Sequence, residues 1–207
     1  TRDSIFSAMT RKEVYATSGT RITLRLFAGW GFDERIKDAR DPVLIATNGG
    51  VPMGGELSST PENTQSPTFF VWAGADTLNA PLQRIQMIKG WIDGQGETHE
   101  QVQDIACADG LEVDPTTMRC PDNGASVDIS TCNIETQKGA PELMTAWKDP
   151  EFDRRQAAFY YVRVLQNPTC RWSTYDAIRL GIAPSPEVPT TIRERAWSSP
   201  IWIAPKK

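Results

Sequence analysis

Phe159–Leu165, reading FYYVRVL, is the stretch that most restricts the fold. Its aromatic and β-branched residues favour a pleated strand, and a strand is stable only with partners along its edges. The rest of the chain supplies candidates. TRITLRLFAGW (20–30) alternates, with Ile22, Leu24 and Leu26 on one side and Thr23, Arg25 and Phe27 on the other. That period of two marks a half-buried strand. A polar loop, GFDERIKDARDP (31–42), follows. VLIATNGG (43–50) reads as a short strand, VPMGGEL (51–57) as a glycine-rich hairpin or bulge, and Thr68–Ala73 as a strong strand. In PLQRIQMIKGWID (81–93), Leu82, Ile85 and Ile88 break strict alternation, which predicts a bulge. GQGE (94–97) is a turn, and HEQVQDIACA (99–108) is the partner strand of its hairpin. ELMTAWKD (142–149) is short enough for either type, STYDAIRLGI (173–182) reads as a short helix ending at Gly181, and SSPIWIAP (198–205) as a last strand. Fifteen glycines and fifteen prolines supply the turns between them. The expected fold is mainly β, an antiparallel β-sandwich-like domain.

The first fifteen residues do not fit that pattern. Ile5, Phe6, Ala8 and Met9 share one helical side, and Thr1 or Asp3 can cap the start. RKEVYATSGTR then breaks the helix, with Gly19 free to take a positive φ. A lone amphipathic helix needs something else to bury its apolar side.

Four cysteines stand at 107, 120, 132 and 170. No Cys-x-x-Cys pair occurs, which argues against zinc. Two disulfides have three possible connectivities. CADGLEVDPTTMRC holds too few apolar residues to hold itself together, which favours Cys107–Cys120 and Cys132–Cys170. Disulfides place a protein outside the cytoplasm; four reduced thiols in a cytosolic protein are the alternative.

The formal net charge of -4 favours neither nucleic acid nor an anionic membrane surface. No apolar run is long enough to span a bilayer. His99 stands alone beside a glycine-rich turn and reads as an exposed hairpin residue, too few for a histidine metal site. No nucleophile elbow and no phosphate loop occurs. Asp33, Glu34, Asp38 and Asp41 gather in one loop and Asp109, Asp114, Asp122 and Asp128 in another, but the spacing matches no calcium loop. Trp30, Trp72, Trp91, Trp147, Trp172, Trp197 and Trp202 fill a core or form a sugar-binding platform. Arg171 and Arg179 bind an anion or pair with a carboxylate.

RKEVYATSGTRI, PLQRIQMIKGWID, AFYYVRVLQNPTCRWSTYDAIRLG and RERAWSSPIWI, in this order, closely resemble the C-terminal part of the bacterial family called domain of unknown function 3604. That family in turn resembles the PHP (polymerase and histidinol phosphatase) metallohydrolases. The resemblance implies that residues 1–20 are the end of an α/β PHP-like barrel and 21–207 an accessory β-domain with a cysteine-bearing loop at 107–132. It implies that the histidine and aspartate ligands for divalent metals (zinc, manganese or iron) belong to the barrel, and that none lies in this chain. The chain alone is then a non-catalytic C-terminal fragment of a phosphoesterase-type hydrolase whose partner is its own barrel. Family members often carry an export signal, in agreement with a periplasmic or secreted location. Any residues here that reach a small anionic substrate are expected to be Tyr15, Thr17, Ser18 and Arg21, with Arg21 on the anionic group; a structural turn with Arg21 in a surface pair is the plain alternative. The competing functional reading is a stand-alone carbohydrate-binding or structural interaction module.

Overall fold

A computed structural model describes residues 1–57 and 66–205. In chain order the elements are α1 (Arg2–Thr10), β1 (Tyr15–Thr17), β2 (Thr23–Gly29), a 3-10 turn (Glu34–Asp38), α2 (Pro42–Gly49), β3 (Val51–Pro52), β4 (Glu56–Leu57) and β5 (Thr68–Gly74). Then come β6 (Leu82–Ile92), β7 (Thr98–Cys107), β8 (Glu142–Lys148), β9 (Ala158–Gln166), β10 (Thr169–Cys170), α3 (Trp172–Leu180), β11 (Thr191–Ile192), β12 (Arg195–Ser198) and β13 (Ile201–Ile203). The described chain is mainly β, and its sheets are antiparallel but for one short pair. No helix among the described residues is long and apolar enough to cross a membrane.

The FYYVRVL run occupies the middle of the larger, seven-stranded sheet. One edge of β9 pairs with β6, which pairs in turn with β7. Its other edge is shared by β12, opposite 163–165, and β13, opposite 158–160. Pro200 stands between these two short strands, where the missing N–H breaks the ladder. β1 extends the sheet beyond β12, and β4 pairs in parallel with β13. The expected irregularity in β6 is present as register shifts at Leu82/Arg84 and Ile85/Gln86. The second sheet has the order β3-β2-β5-β8.

Alternation decides what each sheet buries. Ile22, Leu24 and Leu26 join Phe69, Val71 and Ala73 from the small sheet, and Ile85, Met87, Tyr160, Val162 and Val164 from the large one, in a single core. The rings of Phe69 and Tyr160, one from each sheet, lie 4.6 Å apart. Each fully buried large apolar side chain here contributes about 1.5–3 kcal/mol.

Two expectations change. VLIATNGG is helical, not a strand. Asp41 caps it by accepting from the Leu44 N–H at 3.0 Å, and Pro42 fills the first turn. The helix and the preceding 3-10 turn cover the outer side of the small sheet, where Phe27 and Phe70 pack with Phe32, Ile36 and Ala46. VPMGGEL is not a hairpin either. β3 pairs with β2 and β4 with β13, so this segment crosses from one sheet to the other.

The polar segment after β7 is held by Cys107–Cys120 and Cys132–Cys170, the pairing its composition favours. The second bond ties the segment to β10, beside a small cluster of Val127, Ile134 and Tyr175.

Candidate functional site

The turn bearing the expected substrate residues sits where the chain enters the larger sheet. Tyr15 and Thr17 lie in β1 opposite Ser198 and Ala196. The Ser18 hydroxyl donates to the Glu194 carboxylate and accepts from the Arg195 N–H at 2.9 Å. The Arg21 N–H donates to Asp76 at 2.9 Å, which is the main reason the Asp76 carboxyl is held below its ordinary range; the Arg21 side chain is exposed. The four residues do not gather around one hollow. Tyr15 lines a hollow of about 660 Å3 over the small sheet, together with Arg25, Trp72 and Glu142. Gly19 and Thr20, from the same turn as Ser18, border a smaller one of about 290 Å3 against Trp172, Arg179 and Glu194.

Immediately before this turn, α1 is well formed and capped by Thr1, yet it has no buried residue. Ile5, Phe6 and Met9 are 65%, 71% and 63% exposed.

The four aspartates of the second acidic group accept backbone N–H groups, three of them within their own turns. Asp114 accepts from the Thr116 and Thr117 N–H groups, Asp122 from Gly124, Asp128 from Ser130, and Asp109 from Gly139. Among the described residues no three His, Cys, Asp or Glu side chains come together to hold a metal ion. His99 bonds Asp93 at 2.8 Å and stacks on Trp91 at 5.1 Å, which anchors it to the hairpin.

Trp202, one of the tryptophans expected in a core or a sugar-binding platform, belongs to an uncovered aromatic row on the outer face of the larger sheet whose other members the sequence did not single out. Strand register sets Glu100 opposite Gly90, Gly90 opposite Phe159, Phe159 opposite Trp202, and Trp202 opposite Glu56. Residues directly opposite share a face, so these five form one transverse line across β7, β6, β9, β13 and β4. Gly90 makes the floor. A Cβ there would stand 2.3 Å from the Phe159 ring, so that ring lies down against the backbone. Trp202 is 45% exposed and meets Phe159 at 5.2 Å. Tyr161, two residues along β9, sets its ring 6.4 Å from Phe159 with only 16° between their planes. Partial burial, then the Glu100 carboxylate, raises the Tyr161 pKa, so its hydroxyl stays neutral. All five residues of the row line a groove of about 770 Å3. The signal available in the sequence was the aromatic i, i+2 pair at 159 and 161; joining it to Trp202, Glu56 and Glu100 requires the register.

The architecture defines a disulfide-stapled, mainly β module with two largely antiparallel sheets on a shared core. The chain belongs to the family described as "Protein of unknown function (DUF3604)", whose family model matches residues 1–205. No curated protein and no solved structure matches it.

Proposed function

We propose that this chain is the β-rich accessory part of a PHP-like, metal-dependent hydrolase of the phosphoesterase type, and that it is not catalytic by itself. The exposed apolar side of α1 carries this reading. A capped helix with Ile5, Phe6 and Met9 in water gains little from its own backbone. Its packing surface would be the barrel, of which α1 would be the last helix. The segment 1–20 would then belong to both parts, α1 to the barrel and β1 to the sheet. The two sheets on one core support a sandwich-like accessory domain of residues 21–207. Two disulfides support a periplasmic or secreted location. The barrel would hold zinc, manganese or iron, which would activate water and neutralise phosphoryl charge. Of Tyr15, Thr17, Ser18 and Arg21, which do not gather around one hollow, Arg21 with its exposed side chain is the residue proposed to approach a small anionic substrate and donate to it.

The test compares this chain with a longer polypeptide that would include the proposed upstream barrel. The longer protein is expected to carry a divalent metal and hydrolyse p-nitrophenyl phosphate, and the 207-residue chain to do neither. Replacing Ile5, Phe6 and Met9 together by Glu should cut the longer protein's activity at least tenfold while leaving the melting temperature of the short chain unchanged. Arg21→Ala should raise KM more than it lowers kcat. Metal-dependent hydrolysis by the short chain, or a metal-free longer protein, would overturn the reading.

A further inference from the structure

The aromatic row is independent of any hydrolase reading. We infer that the outer face of the larger sheet is a binding platform for a neutral oligosaccharide, with sugar rings stacked on Phe159, Tyr161 and Trp202 and their hydroxyls donating to Glu56 and Glu100.

The row is built in a definite order, apolar in the middle and charged at both ends. Its middle is apolar: Gly90 lets the Phe159 ring lie against the sheet, and the Tyr161 ring stands beside it with its plane nearly parallel. Its ends are exposed carboxylates, Glu100 on β7 and Glu56 on β4. Five strands at ordinary spacing make the row roughly 19 Å wide, enough for a short chain of sugar rings but generous for one. A hexose matches this pattern atom class by atom class. The C–H face of the ring is apolar and stacks on an aromatic, and its equatorial hydroxyls point outward as donors toward acceptors at the rim.

The same chemistry argues against other occupants. An apolar protein surface laid on this face would strip water from Glu56 and Glu100 and give them no partner, which is costly for a carboxylate. An anionic ligand would meet two like charges at the ends of the row against one lysine, Lys12, in the groove lining. A neutral polyol uses the rings and satisfies both carboxylates with its hydroxyls, without bringing a charge onto the apolar middle of the row.

Affinity electrophoresis of the 207-residue chain in gels containing hydroxyethyl cellulose, arabinoxylan or galactomannan tests this directly. Retardation in at least one gel is expected. Trp202→Ala should weaken it at least tenfold, and the rim variants Glu56→Gln and Glu100→Gln should each weaken it several-fold. Trp172→Ala, which removes a tryptophan that is 74% exposed elsewhere, should leave it unchanged. Unretarded migration in all three gels would overturn the inference, as would retardation indifferent to Trp202→Ala and to both rim variants. Self-association abolished by Trp202→Ala, without retardation, would assign the face to a protein partner and also overturn it.

Discussion

A lysine within the core layer shows how single residues settle this fold. Lys89 faces inward from β6, and its ammonium donates to the Asp149 carboxylate and to the Glu151 carbonyl at 3.0 Å. It also lies 5.0 Å from the centre of the Trp91 ring. The Tyr160 hydroxyl donates to the same carboxylate at 2.7 Å. Burial and then Asp149 raise the Tyr160 pKa, which keeps that hydroxyl a donor. Both charges are buried, so each depends on the other. Removing one partner of such a pair costs about 3–5 kcal/mol, because the remaining charge stays dehydrated. Asp149→Ala should lose that much in urea unfolding, and adding Lys89→Met should recover part of it. A loss under about 1 kcal/mol for Asp149→Ala would show that water reaches the lysine. Nothing in IQMIKGWID marks this lysine as buried; only the pairing of β6 with β9 turns it inward.

At the scale of elements, local pattern and long-range pairing divide the outcome. β2 was legible because it alternates, and β5 and β9 because aromatic and β-branched residues run through them; β5 buries both faces, Phe69 and Val71 in the shared core and Phe70 beneath α2. The hairpin of β6 and β7 was legible from its turn. α2 was misread because Val43, Leu44 and Ile45 look like a strand, while the Asp41-Pro42 start that fixes the helix is only a capping signal. β1 and β12 left no trace in the sequence: three residues at 15–17 pair with 196–198, far along the chain. The binding row suffered the same fate, since its members run from Glu56 to Trp202 and meet only through register. The cysteine loop was legible through its poverty in apolar residues, and it carries its own prediction. Cys107 and Cys120 are 13 residues apart, and closing a loop of that order is worth about 3 kcal/mol through the unfolded chain. Replacing both by Ser should lower stability by about that amount and expose the segment after β7 to trypsin at Arg119, while the hairpin of β6 and β7 stays resistant. Unchanged cleavage at Arg119 would mean that Asp104, which accepts from the Cys120 N–H at 2.8 Å and pairs with Arg119, holds the loop without the bond.

For the whole molecule, carboxylates at turns set the response to acid. Asp33 is held at about 2 by its hydrogen bonds from Arg35, and Asp153 is lowered in the same way by Arg155. His99 lowers Asp93, the Thr117 and Thr116 N–H groups lower Asp114, and Ser130 lowers Asp128. Each of these groups binds its proton less readily in the folded chain than in the unfolded one. The unfolded state therefore takes up protons first as pH falls, and stability drops with it. The contribution is complete above the ordinary aspartate value of 3.8 and is lost as pH falls from there toward about 2. The groups are exposed, so each one matters little; they act together because they sit at separate turns around both sheets. Across the same range the 22 lysines and arginines lose their counter-charges, which adds self-repulsion. The melting temperature should stay level from neutrality to about pH 5 and fall steeply between about pH 4 and 2, with both disulfides still closed. A level profile down to pH 2 would show that these turns unfold locally without cost to the core, and that the shared apolar core alone governs global stability.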